Sequence, residues 1–161
     1  VSSLLPKPID ILPQQPPFLF VDEYLELDEN HCLARYTFKK DEWFFKGHFP
    51  GKPVVPGVIL IEAMAQVGVS IAFFITAKAE NIPIEKAKES GLTLFVKVGE
   101  IGFLGMVFPE ETVFIHSKII FSRFGKFETE GEIYKLVEGE EKIVCTHKSL
   151  IGRRVKMRKA A

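Results

Sequence analysis

Cysteine is scarce. The chain of 161 residues holds two, Cys32 and Cys145, far apart and without the spacing of a C-x-x-C pair or a metal site. Neither a disulfide framework nor a structural metal is expected, and the usage fits a reducing compartment. An excess of either charge is also lacking: Lys+Arg and Asp+Glu each number 21, for a formal net charge of zero. Phosphate backbones are bound by basic surfaces, so nucleic acid is excluded as the main partner. A neutral chain also has little charge repulsion against self-association. No repeat or low-complexity tract interrupts the sequence, and its length suits one domain, 1–161, with one core. The opening VSSLLPKPIDILPQQPP has no charged stretch leading into an apolar run, so no signal peptide is expected and the protein is read as cytoplasmic.

What is abundant is apolar surface: 47% of residues are hydrophobic and 15 are Phe. Between 58 and 77 nearly every residue is apolar, and about 20 such residues would cross a bilayer. Glu62 opposes that reading, because an acid in mid-membrane costs about 2.5–3.5 kcal/mol. Gln66 and Ser70 add to the objection, so no membrane span is expected. A helix apolar on all sides is also what a soluble sheet builds when it wraps one.

Alternation and turn residues predict strands over 18–28, 31–39, 92–103, 112–123, 127–137 and 142–151. Turns are expected at 124–126 and 138–141. Pro50, Pro53 and Pro56 forbid a helix before Gly57, and none recurs until Pro83, which predicts a helix over 57–79 and a short segment over 84–90. Residues 1–17 read as a proline-rich surface lead-in, and 153–161 as a basic, frayed tail. Two strands, one buried helix and four strands make an α+β domain whose curved antiparallel sheet wraps the helix. The helix has more apolar surface than one small sheet covers, so a partner subunit is expected.

The chemistry concentrates in 47-GHFPGKPVVPGVILIEAMAQVG-68. His48 sits in a turn stiffened by prolines; it is either a turn histidine with a structural hydrogen bond or a base near neutral pH. Glu62 lies among Ile59, Leu60, Ile61, Ala63, Met64 and Ala65. It is either surface-facing, paired with a distant cation, or an acid whose pKa desolvation raises. Gly57 opens the helix, where backbone N–H groups lack partners and favour negative charge, although a permissive residue after Pro56 is the plainer reading of it alone. Taken together, a base, N–H donors for an enolate oxygen and an acid suit elimination of water from a β-hydroxy carbonyl compound, or its reversal.

The stretch 47–66, GHFPGKPVVPGVILIEAMAQ, resembles the signature of β-hydroxyacyl-acyl carrier protein dehydratases of the FabZ type. Weaker similarity covers 17-PFLFVDEYLELD-28 and 43-WFFKGHFPG-51, and by pattern most of the chain to about residue 152. The resemblance implies a hotdog fold of about six strands around the helix, and a homodimer with two shared active sites, extended in some members to a trimer of dimers. His48 matches the catalytic histidine, Glu62 the catalytic glutamate supplied by the other subunit, and Gly57 the glycine whose N–H polarises the thioester carbonyl. The implied reaction converts a (3R)-3-hydroxyacyl thioester to the trans-2-enoyl thioester in fatty acid biosynthesis. No cofactor or metal is implied, since the pantetheine thioester of acyl carrier protein or coenzyme A is part of the substrate. A related, isomerising branch has Asp at the place of Glu62, which favours the plain dehydratase.

Two departures stand out. Lys52 occupies the place of a second histidine, and Leu104 and Gly105 that of a usual basic pair. Arg153, Arg154, Lys156, Arg158 and Lys159 are the substitute basic group toward an acidic carrier; a solvated tail is the plainer reading of them. Two rivals remain: a hotdog thioesterase, which has no need of His48, and a non-catalytic acyl-thioester binding subunit, which needs neither His48 nor Glu62.

Overall fold

Alternating strands pair into one antiparallel sheet, and the sheet closes over the one long helix. A computed structural model describes residues 5–156. A helical turn, α1 (Pro8–Ile11), precedes β1 (Glu23–Leu27) and β2 (His31–Thr37). A 3-10 turn over Trp43–Lys46 leads to α2 (Gly57–Glu80) and the short α3 (Ile84–Ala87). Strands β3 (Leu92–Phe103), β4 (Thr112–Arg123), β5 (Lys126–Val137) and β6 (Glu140–Val155) follow. The sheet runs β1-β2-β4-β5-β6-β3 with every pair antiparallel. This is the expected α+β hotdog architecture. Register shifts in four of the five strand pairs bend the sheet around α2.

α2 is seated by close contact rather than by greasiness alone. A Cβ at Gly68 would lie 3.1 Å from Thr129 Oγ1 on β5, so glycine lets the helix backbone settle onto the strand. Its fully buried polar side chains are satisfied: Ser70 Oγ donates to the Gln66 carbonyl at 2.9 Å. With that proton spent, Tyr24 must be the donor in the 2.6 Å contact between Tyr24 Oη and Ser70 Oγ. The helix stops at Asn81, which takes the left-handed conformation (φ 52°) and closes its N–H on the Ala77 carbonyl. Among the described residues α2 is the one helix long and apolar enough to cross a membrane, and two thirds of that apolar window is buried inside the protein.

Three expectations need correction. β1 begins at Glu23, not 18, because the backbone of Phe18 and Phe20 is taken up by the side chain of Gln66 on α2. The lead-in is not a surface segment throughout: Ile11 and Leu12 are fully buried. β6 is longer than 142–151 at both ends. Its first turn needs only Glu138 and Gly139, both at positive φ (53° and 81°), which is the two-residue hairpin geometry that follows strand twist. At its far end Arg153 and Arg154 pair with β3, and the Arg154 N–H bonds the Gly125 carbonyl at 2.7 Å, so they are strand residues and not a frayed tail. Arg158 and Lys159 lie outside the described residues. Phe124 and Gly125 form the matching turn between β4 and β5, with φ 52° and 73°. Cys32 and Cys145 are buried free thiols.

Candidate active site

The loop that carries His48 is built from the strand side. Glu42 is buried at the head of the Trp43–Lys46 turn, where the Tyr36 hydroxyl of β2 donates to its carboxylate. The His48 N–H then bonds the Phe44 carbonyl at 3.0 Å, and the Val54 N–H returns to the His48 carbonyl at 3.0 Å. Phe49 and Lys52 exchange backbone bonds of 3.1 and 2.9 Å, with Gly51 at φ 72° making the turn between them. The His48–Phe49 peptide is cis. These bonds hold the loop independently of the imidazole.

The imidazole is then fixed by one further contact. His48 Nδ1 lies 2.8 Å from the Val54 carbonyl oxygen. A carbonyl only accepts, so Nδ1 carries the hydrogen and donates it. In the neutral ring this leaves the lone pair on Nε2. The Phe49 ring stacks on His48 with centroids 4.0 Å apart. His48 is half-buried and therefore remains open to a ligand.

Glu62 is the sixth residue of α2 and is also half-buried. Its Oε1 accepts from Gln66 Nε2 at 2.9 Å and, more weakly, from Gln14 Nε2 at 3.4 Å. Burial pushes its carboxyl above the usual range, and the two amide donors oppose that shift. No cation pairs with it among the described residues, so the surface-pairing reading of this acid does not hold.

Gly57 opens α2 behind Pro56, with no side chain capping the first turn, so its N–H has no partner within the helix. The structure adds a packing reason for this glycine: a Cβ would lie 2.7 Å from the ring of Phe103, at the end of β3. The exposed ring of Phe103 thus overhangs the helix start. Leu104 and Gly105 follow, both N–H groups directed at the Val144 carbonyl (2.9 and 3.2 Å). Leu104 is 66% exposed and Met106 61%, so the surface beside the helix start is apolar here.

The three predicted residues thus occupy one loop and the first two turns of α2, but within one chain they do not form one network. His48 and Glu62 share no hydrogen-bond partner among the described residues. Gln66, Gln14 and Phe103 were missed by sequence reasoning. Gln66 was legible in principle, one helical turn after Glu62 on the same face; no sequence signal pointed to the other two. No cluster of His, Cys, Asp or Glu suited to a metal ion occurs among the described residues.

Comparison with known proteins adds to this geometry. A FabA-like domain model matches residues 12–143. The chain is 34% identical over 125 residues to the 3-hydroxyacyl-[acyl-carrier-protein] dehydratase FabZ of Geotalea uraniireducens, covering 77% of this chain and 81% of that protein. It is 34% identical over 138 residues to the FabZ of Thermus thermophilus, covering 86% and 89%. In fold it is similar to the dehydratase heterocomplex ApeI:P of Xenorhabdus doucetiae, with a TM-score of 0.74 at 16% identity over 94% of this chain and 93% of that one. A hypothetical thioesterase of Streptococcus pneumoniae has the same fold at a TM-score of 0.51 and 11% identity, over 85% and 88%. Fold alone therefore does not separate the two chemistries, but the domain match and the aligned dehydratases span most of the sequence, and the chain belongs to the FabA-like family, among its FabZ-type dehydratases.

Proposed function

We propose that this protein removes water from a (3R)-3-hydroxyacyl thioester carried by acyl carrier protein, giving the trans-2-enoyl thioester of fatty acid biosynthesis. The observation that carries the reading is the Nδ1 bond from His48 to Val54, which in the neutral ring leaves the lone pair on Nε2. His48 Nε2 takes the proton α to the thioester carbonyl. The electron pair of that C–H bond moves toward the carbonyl, and the Gly57 N–H, at the positive end of α2, steadies the oxygen. Collapse of the enolate forms the C=C bond as the C3–O bond breaks. Glu62, whose carboxyl is pushed above the usual range by burial, gives its proton to the departing hydroxyl, which leaves as water. Solvent exchange then returns a proton to Glu62 and removes one from His48. Electrons are only redistributed within the substrate, so the elimination calls for no redox partner.

The proposed site is completed by a second copy of the chain. Among the described residues β3 is an edge strand bonded only to β6, and Leu94, Val96 and Val98 on it are exposed. An open apolar edge is a template for another strand. Pairing two β3 edges buries it and lets His48 of one subunit work with Glu62 of the other. The reaction is read as cytoplasmic, with α2 enclosed by its own sheet.

The test is turnover of 3-hydroxyacyl thioesters of graded chain length, on carrier protein and on coenzyme A. Enoyl thioester should accumulate with the thioester bond intact. Release of free thiol without enoyl product would support a thioesterase instead. Tight binding without turnover at every chain length would support a binding subunit.

A further inference from the structure

The segment ahead of β1 reaches the proposed acid from a side that α2 cannot supply. Buried Ile11 and Leu12 pin it, and Gln14 follows two residues later. Gln14 Nε2 lies 3.4 Å from Glu62 Oε1. Farther along, the Phe20 N–H donates to Gln66 Oε1 at 2.8 Å, and Gln66 Nε2 donates to the Phe18 carbonyl at 3.0 Å. The Phe20 N–H can meet only an acceptor, which fixes which end of the Gln66 amide is oxygen. Its nitrogen then has one hydrogen for Phe18 and one for Glu62 Oε1, at 2.9 Å. Both amides therefore address the same oxygen of Glu62. An oxygen that accepts two N–H groups is not the one that bears the acid's proton, so that proton belongs on Oε2.

A second observation separates Gln14 from an ordinary loop glutamine. Among the described residues its own Oε1 is buried without a donor. A side chain free to choose would turn that oxygen to water. Instead the amide is held against Glu62 by the segment around it.

We propose that Gln14 is a positioning residue for the dehydration: acting through Glu62, it keeps Oε1 as the acceptor so that the transferable proton sits on Oε2, and it steadies the carboxylate once that proton has left with the hydroxyl. This rests on the reading of Glu62 as the acid. Among the described residues no charged side chain acts on Glu62; α2 presents Gln66 and the N-terminal segment presents Gln14. In the proposed dimer the imidazole of the other subunit is the remaining titratable group facing it.

The experiment is a set of kcat–pH profiles for wild type, Gln14→Leu, Gln14→Glu and Gln14→Lys, with Glu62→Gln alongside and thermal unfolding as the fold control. Glu62 acts when protonated, so the alkaline limb follows its pKa. Removing a donor to the carboxylate raises that pKa, so the limb moves up in Gln14→Leu. It moves up further in Gln14→Glu, where a like charge is added, and down in Gln14→Lys. In Gln14→Leu, kcat at its plateau falls about two- to tenfold, the range of one lost neutral hydrogen bond, with KM unchanged. A leucine variant whose limb superimposes on wild type overturns the proposal, as does an equal loss of kcat in all three variants with no displacement. Wild-type turnover by Glu62→Gln would instead remove the acid assignment itself, whatever the Gln14 variants do.

Discussion

Replacing His48 by alanine is expected to lower kcat for dehydration by about 10²–10⁴-fold, the usual contribution of a positioned general base. The fold should survive. The backbone bonds that shape the loop, His48 N–H to Phe44 and Val54 N–H to the His48 carbonyl, do not involve the imidazole. What the substitution removes is the Nδ1–H bond to Val54 and the basic Nε2 that this bond sets free. Because the ring is half-buried, little core packing goes with it. Circular dichroism and the unfolding midpoint check the fold, and steady-state turnover of a 3-hydroxyacyl thioester checks the chemistry. If dehydration persists at the wild-type rate, the base lies elsewhere. If thioester hydrolysis is the only activity and is unchanged, the thioesterase reading prevails.

Glu62→Gln is expected to have an effect of the same order, about 10²–10⁴-fold on kcat, for a different reason. The carboxamide keeps the shape of the acid, and its oxygen can still accept from Gln66 and Gln14. It has no proton to give at neutral pH, so C3–O cleavage loses its acid. Stability should hold or rise, because a group whose ionised form is penalised by burial has been replaced by a neutral one. A variant with normal thermal unfolding and little turnover identifies chemistry rather than folding as the loss. Unchanged turnover would take Glu62 out of the mechanism.

The catalytic stretch was legible because it is contiguous. Proline spacing places the start of α2 at Gly57, and the apolar neighbours of Glu62 leave it open between a surface or paired acid and a desolvated one, of which burial favours the second. The supports of that acid were not legible, and one feature explains both. Residues 18–28 read as one strand although their alternation is imperfect, yet Phe18 and Phe20 give their backbone groups to Gln66, 48 and 46 residues away. A side chain that competes for strand backbone leaves no trace in hydrophobic period. Gln14 was hidden for a related reason: among prolines it reads as surface loop, and only the burial of Ile11 and Leu12 turns it inward. At the other end, the basic run after Ile151 read as a solvated tail, although pairing of Arg153 and Arg154 with β3 extends β6 to Val155. The role of Gly57 was open between ligand approach and chain permissiveness; the ring of Phe103 supplies a third reason, close packing, that no sequence pattern carried. The departure from the resemblance at Leu104 and Gly105 is visible in the sequence, and the exposure of Leu104 and of Met106 beside them makes this stretch an apolar surface of the chain.

In the proposed dimer one subunit supplies His48 and the other Glu62 to each site. Co-expression of a His48→Ala chain and a Glu62→Gln chain, each inactive alone, tests it directly. In a mixed dimer with shared sites, one site combines both defects and the other combines both intact residues. With random pairing, half of the dimers are mixed and each has one working site, so the account predicts recovery to about a quarter of wild-type kcat per chain. If both residues of a site came from the same chain, every site in the mixture would carry one defect. Activity that stays at the level of the single variants, in a preparation shown to contain mixed dimers, would contradict the account.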